Sequence, residues 1–180
     1  MSGLRAVFLD RDGVLMEEVH YCADPACVKA YSGAGEALRR IRAAGFRTFI
    51  VTNQSGIGRG LIAEAQYRAV QDELLRQLGP GLIDATHFCA DLPGTPSLRR
   101  KPEPGMVLEA AAEYGLDLAR SFFVGDKSSD IECGRRAGTR TILVLTGYGA
   151  QQNCAPGFTA RNLAEAADII LKLQLESISL

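Results

Sequence analysis

Asp10 and Asp12 stand two residues apart, between the apolar run Ala6-Val7-Phe8-Leu9 and Gly13. A turn at the end of a buried strand would release both carboxylates at one edge. Paired acids there suit a hard cation such as Mg²⁺ and leave one acid free to act as a nucleophile. An acidic turn is the plainer reading of the same residues. Three further segments change the balance, because each supplies another part of a phosphoryl-transfer site.

The first, Thr52-Asn53-Gln54-Ser55-Gly56-Ile57-Gly58-Arg59-Gly60, follows an apolar run and is polar and glycine-rich. A hydroxyl and freely oriented backbone N–H groups can cradle phosphate oxygens there, although a solvated loop has the same composition. In Arg99-Arg100-Lys101-Pro102-Glu103-Pro104-Gly105-Met106, Lys101 can neutralise a transferring phosphoryl group and Arg100 can grip a second anion in bidentate fashion. An exposed basic turn is the alternative. In Phe123-Val124-Gly125-Asp126-Lys127-Ser128-Ser129-Asp130, Asp126 is placed to ligate the cation with Asp10. Asp130, one helical turn on, can orient Lys101 or a metal-bound water, or simply complement a helix dipole.

Residues so far apart in sequence act together only if a fold brings them to one edge. Apolar runs alternate with amphipathic segments. The pattern predicts strands over Ala6–Leu9, Thr48–Val51, Ala85–Cys89, Phe122–Val124, Thr141–Leu145 and Asp168–Leu171. It predicts helices over Ala34–Ala44, Ala63–Leu78, Gly105–Tyr114 and Ser129–Ala137, with a short one near Leu163. Gly45, Gly115 and Gly138 fit helix stops. Alternation of this kind implies a parallel sheet with helices on both faces, and in such sheets the active site lies beyond the carboxyl ends of the strands. Nothing in the chain reads as a repeat or linker, so residues 1–180 are expected to form one domain, with Gln174–Leu180 a loosely held end.

Composition narrows the partners. The chain has 180 residues, 47% of them hydrophobic, and a net charge of −1, which leaves no electrostatic footprint for nucleic acid or an anionic membrane. No apolar run approaches the ~20 residues of a membrane span, and Met1–Arg5 does not read as a signal peptide. A cytoplasmic monomer is the expectation. The five cysteines, Cys22, Cys27, Cys89, Cys133 and Cys154, are odd in number and scattered, which fits reduced thiols. Cys22 and Cys27 near His20 invite a metal hypothesis, but the spacing matches no usual zinc knuckle.

Together the four segments resemble the haloacid dehalogenase (HAD) superfamily of phosphatases, over nearly the whole chain and in the same order and spacing. Within it they look like the heptose bisphosphate phosphatase branch. Histidinol-phosphate phosphatases are close relatives that usually lack the Gly-Ile-Gly-Arg-Gly continuation seen here. The resemblance implies a three-layer α/β/α Rossmann-like fold with a central, mostly parallel sheet. It implies that Asp10 attacks phosphorus to form an aspartyl phosphate, and that Asp12 protonates the leaving oxygen and then activates water. Mg²⁺ would be held by Asp10, Asp126 and the backbone carbonyl of Asp12. Thr52 and Lys101 would hold phosphoryl oxygens, while Asn53, Gln54, Ser55, Arg100 and Lys127 would contact substrate. Glu18-Val19-His20-Tyr21 falls where that branch carries another substrate loop, with a loose match.

About twenty residues separate Gly13 from the next predicted helix, too few for a large inserted cap. Minimal capping suits a small sugar phosphate, with heptose 1,7-bisphosphate dephosphorylated at C7 as the expected reaction. Related enzymes often carry a zinc loop before Arg-Lys-Pro. Here only Cys89 remains of its expected ligands, so no structural zinc is expected, and Pro93, Gly94 and Pro96 are read as loop stiffeners. The alternatives are a histidinol-phosphate or other sugar-phosphate phosphatase, a polynucleotide 3′-phosphatase, and a non-catalytic phosphate-binding module. The second usually has Leu where this chain has Arg11. Intact Asp10, Asp12, Lys101 and Asp126 argue against the third.

Overall fold

The computed structural model describes residues 3–178. Six strands form one sheet: β1 (Arg5–Leu9), β2 (Phe46–Asn53), β3 (Ala85–Cys89), β4 (Phe122–Gly125), β5 (Arg140–Val144) and β6 (Phe158–Ala160). Their spatial order is β3-β2-β1-β4-β5-β6, and every pairing is parallel. The order reverses between β1 and β4, which opens a crevice at their carboxyl ends. This is the three-layer α/β/α arrangement expected from the alternation of apolar runs.

β1 explains why a continuous apolar run, rather than an alternating one, marks the central strand. Val7 and Leu9 enter one core with Ile50, Val124, Ile142 and Val144, beneath helices α1 (Ala34–Ala43), α3 (Glu64–Leu78) and α6 (Leu163–Ile178). Ala6 and Phe8 enter a second core on the other face, beneath α4 (Gly105–Tyr114) and α5 (Ser128–Ala137). Both faces are covered, so polar residues have no place in the strand. Phe8 stacks between Phe49 at 5.5 Å and Phe123 at 6.4 Å. Burying Val7, Phe8 and Leu9 stabilises the fold by about 1.5–3 kcal/mol each. A one-turn helix, α2 (Ser55–Gly58), begins the Gly-rich segment.

Three expectations need correction. Asp168–Leu171 is not a strand but lies within α6, where Leu163, Ala166, Ala167 and Ile170 are buried at helical spacing and Asp168 points out to Arg40 at 2.6 Å. The helix near Leu163 is therefore long, and Phe158–Ala160, paired with β5, supplies the sixth strand instead. The helix also takes in residues 174–178 of the expected loose end. Gln174 is held by a 3.1 Å hydrogen bond from Nε2 to the Ala44 carbonyl. Ser179 and Leu180, with Met1 and Ser2, lie outside the described residues. Among the described residues no helix is long and apolar enough to cross a membrane.

Candidate active site

The carboxyl edge of β1, β2 and β4 carries the acidic, hydroxyl and basic residues singled out in the sequence. Asp10 follows β1, Thr52 is the penultimate residue of β2, which runs two residues further than expected, and Asp126 follows β4. A cleft of about 430 Å³ opens over this edge, lined among others by Asp10, Asp12, Thr52, Ser55, Arg100 and Lys101. Its opposite wall is Glu18–Cys22, from the short excursion between β1 and α1.

Lys101 is the centre of the charge arrangement. It is 3% exposed, and its Nζ lies 2.9 Å from Asp10 Oδ1, 2.7 Å from Asp130 Oδ1 and 2.8 Å from the Val51 carbonyl. Three acceptors match the three donors of an ammonium. Burial disfavours that charge, but Asp10 and Asp130 outweigh it and hold the Lys101 pKa above the ordinary lysine value. In return, although burial works against its charge, Asp10 is kept ionised below the usual carboxylate range by Lys101 and Lys127. Asp10 Oδ1 also accepts the Arg11 N–H at 2.8 Å, which leaves Oδ2 outside these bonds and available to a reacting atom.

Asp130 makes two sets of contacts. Oδ2 accepts the backbone N–H groups of Asp126 at 3.2 Å and Lys127 at 3.0 Å, closing the start of α5, while Oδ1 pairs with Lys101. Asp126 is fully buried below the cleft. Its pKa is pushed up to about 7 by burial, then by the nearby charge of Asp10. Asp126 Oδ2 accepts the Tyr148 N–H at 2.9 Å, whereas Oδ1 is buried with no hydrogen-bond partner. An orphaned carboxylate oxygen beside a second carboxylate fits a hard cation. Among the described residues, Asp10, Asp126 and Asp130 bring carboxylate oxygens within 4.8 Å of one another. Both Asp130 oxygens are already committed, so Asp10 and Asp126 are the pair that fits a cation.

Two glycines make room for Asp126. Gly13 has φ +86° and Gly147 φ +56°, and a Cβ at either would meet Asp126 Oδ2 at 2.2 Å. Thr146 Oγ1 donates to the Gly13 carbonyl at 2.6 Å, joining the loop after β5 to the loop after β1. Thr146, Gly147 and Tyr148 were missed in the sequence. Their signal was available: they follow a strand at the same edge as the other site residues.

Asp12, 9% exposed, faces the cleft with its carboxylate gripped by Arg11 and Gln54. Gln54 Nε2 donates to Asp12 Oδ2 and to Thr52 Oγ1, both at 3.0 Å. Because Thr52 Oγ1 accepts that bond, its own hydrogen is directed elsewhere and can meet an oxyanion. Gln54, read as a substrate contact, thus spends its N–H groups on two neighbouring site residues. Asn53, read the same way, is a clamp: Nδ2 donates to the Lys101 carbonyl at 3.0 Å and Oδ1 accepts the Lys101 N–H at 3.1 Å. Ser55, Arg100 and Lys127 line the cleft. Arg100 donates to the Asp91 carbonyl at 2.8 Å, and Lys127 pairs with Glu18 at 3.2 Å beneath the Tyr148 ring, 4.8 Å away. His20 is exposed and packs at a tilt of 51° against Tyr21, which has φ +52°.

Comparison with known proteins gives one consistent picture. Residues 98–166 match the HAD-hydrolase-like family model. The chain is 36% identical over 178 residues to a D-glycero-alpha-D-manno-heptose-1,7-bisphosphate 7-phosphatase of Photorhabdus laumondii, covering 93% of this chain and 97% of the relative. It is 39% identical to a D-glycero-beta-D-manno-heptose-1,7-bisphosphate 7-phosphatase of Rhodopseudomonas palustris, covering 74% and 79%. A crystal structure of D,D-heptose 1,7-bisphosphate phosphatase from B. bronchiseptica, complexed with magnesium and phosphate, superposes with a TM-score of 0.86 at 33% identity, covering 94% of this chain and 99% of that one.

Proposed function

Because the chain belongs to the HAD superfamily and to its heptose-1,7-bisphosphate phosphatase family, we propose that it removes the C7 phosphate of D-glycero-D-manno-heptose 1,7-bisphosphate. It is a phosphoric monoester hydrolase. The observation that carries the reading is the meeting of Asp10, Lys101 and Asp130 within 3 Å, beside Thr52 and Asp12, at the floor of one cleft.

In the proposed reaction Asp10 Oδ2 bonds to phosphorus as the bond from phosphorus to the C7 oxygen breaks. Asp12 gives its proton to that oxygen. Asp12 then takes a proton from water, the water oxygen bonds to phosphorus, and the bond to Asp10 breaks to release inorganic phosphate. Thr52 holds a phosphoryl oxygen, and Lys101 turns the N–H now on Asp10 toward another as Asp10 bonds to phosphorus, its ammonium balancing charge that water would otherwise solvate. Asp10, Asp126 and the Asp12 carbonyl would hold Mg²⁺, which supplies charge neutralisation between carboxylate and phosphate. Arg100 and Lys127 at the cleft mouth suit the phosphate that is not transferred. Their partners, a backbone carbonyl and the partly exposed Glu18, are ones an anion can displace. One domain acting as a cytoplasmic monomer on a small soluble substrate completes the reading, in keeping with the net charge of −1.

The test is initial-rate phosphate release with Mg²⁺ on both anomers of the heptose bisphosphate, histidinol phosphate and a 3′-phosphorylated oligonucleotide. A kcat/KM preference of ~100-fold or more for one heptose anomer is expected, about 2.7 kcal/mol of transition-state discrimination. Equal and slow rates on all four would overturn the substrate and keep the chemistry.

A further inference from the structure

Arg11 is the largest fully buried side chain among the described residues, and the reaction just described gives it no task. It lies between two aspartates and turns back onto the second. Nε donates to Asp12 Oδ2 and Nη2 to Asp12 Oδ1, both at 3.0 Å. The pair is a two-pronged grip between adjacent residues, with both side chains nearly out of water: 2% and 12% exposed. Its guanidinium carbon sits 5.4 Å from the centre of the Tyr67 ring, which closes it in from α3.

We propose that Arg11 is a positioning residue that acts through Asp12, fixing the plane of that carboxyl group so that one edge faces the leaving oxygen. The proposal rests on the acid–base role given to Asp12 above. Three observations support it. A buried ion pair is costly to desolvate and an apolar side chain would fill the same space more cheaply, so the charge is there for something other than packing. Arg11 borders the cleft beside Asp12, but its side chain is only 2% exposed and its Nε and Nη2 are both spent on the Asp12 carboxylate. The grip is bidentate, and Gln54 Nε2 adds a third donor at 3.0 Å to Oδ2, the oxygen that also accepts from Arg11 Nε. A lone aspartate beside a left-handed glycine would sample several rotamers. This one is held by three hydrogen bonds, the kind of pre-organisation proton transfer needs, since a 1 Å misplacement costs about 10²-fold in rate.

The experiment is a double-mutant cycle of Arg11→Met and Asp12→Asn, with Arg11→Lys beside it, read by kcat, KM and melting temperature on the heptose bisphosphate. Arg11→Met is expected to lower kcat by roughly 10–100-fold with KM within about threefold, and to add no further loss in the Asp12→Asn background. Arg11→Lys keeps the cation but not the fork, so it should lose part of kcat while melting near wild type, which covers the case in which Arg11→Met does not fold. Losses that multiply across the cycle, or full kcat in Arg11→Lys, would overturn the proposal. Normal turnover in Asp12→Asn would overturn the acid–base reading itself, an outcome distinct from additivity.

Discussion

Asp12 has one carboxyl group and, in the proposed reaction, two proton transfers to make. An amide can make neither. p-Nitrophenyl phosphate separates them, because its phenolate leaves without a proton. Asp12→Asn is expected to release about one equivalent of nitrophenolate in a burst and then stall, with kcat down roughly 10²–10⁴-fold. Steady-state turnover at the wild-type rate in a stopped-flow trace would refute the role. The convergence of these residues was legible from types and spacing: Asp10, Asp12, Thr52, Lys101 and Asp126 do meet at one edge of the sheet. Asn53 and Gln54 were legible as site residues but not in their contacts. An amide offers two donors and an acceptor in any loop, and the Lys101 backbone and the Asp12 carboxylate take them here.

At the level of elements, α5 begins where chemistry and capping share one side chain. Asp130→Asn keeps an oxygen for the N–H groups of Asp126 and Lys127 but removes the charge facing Lys101. The amide NH2 then faces the Lys101 ammonium, donor against donor, so the expected result is a lowered melting temperature together with a kcat lower by roughly tenfold. Asp130→Ala, which also loses the cap, should cost about 1 kcal/mol more in urea denaturation. Just before β3, Asp84 draws in Arg42, Arg47 at 2.6 Å and the Thr48 N–H at 2.8 Å, which tie α1 and β2 to the entry of β3. Burial alone would raise its pKa, but these partners hold it below the ordinary carboxylate value. Its stabilising contribution is therefore complete above the unfolded pKa of about 4 and is lost as pH falls through the folded value. Asp84→Asn should cost about 1–3 kcal/mol at neutral pH. Thermal melts from pH 7 to 2 should show the gap to wild type constant until about pH 4 and closing below it. A gap that widened on acidification would contradict this. Elements also mark where sequence patterning misleads. Ile169-Ile170-Leu171 reads as a strand in isolation, yet the helical spacing from Leu163 to Ile170 governs because α6 has only one face against the core.

Over the whole molecule, the sheet order places the edges of β1 and β4 side by side and so brings Asp10 and Asp126 together at a fully buried depth for Asp126. Two carboxylates held that close resist the folded state until a cation joins them. Chelation is expected to abolish phosphate release, and Mg²⁺ at 100 times its Kd to stabilise the protein by about 2.7 kcal/mol, read as a rise in melting temperature. Asp126→Ala should lose that rise; a melting temperature indifferent to Mg²⁺ in the parent protein would count against the site. The amino-acid sequence by itself determined the reaction class, the alternation that makes a parallel sheet, and the motifs at the strand ends, because these depend on residue type and on spacing within one element. The tertiary structure alone decided which donor meets which acceptor. Gln54 reaches Asp12 across 42 residues and Asn53 reaches Lys101 across 48, and Gly147 packs on Asp126 from a strand two places away in the sheet from β1. Contacts at such separations are set by how packed layers align neighbouring strand ends, a property that no local stretch of the chain carries.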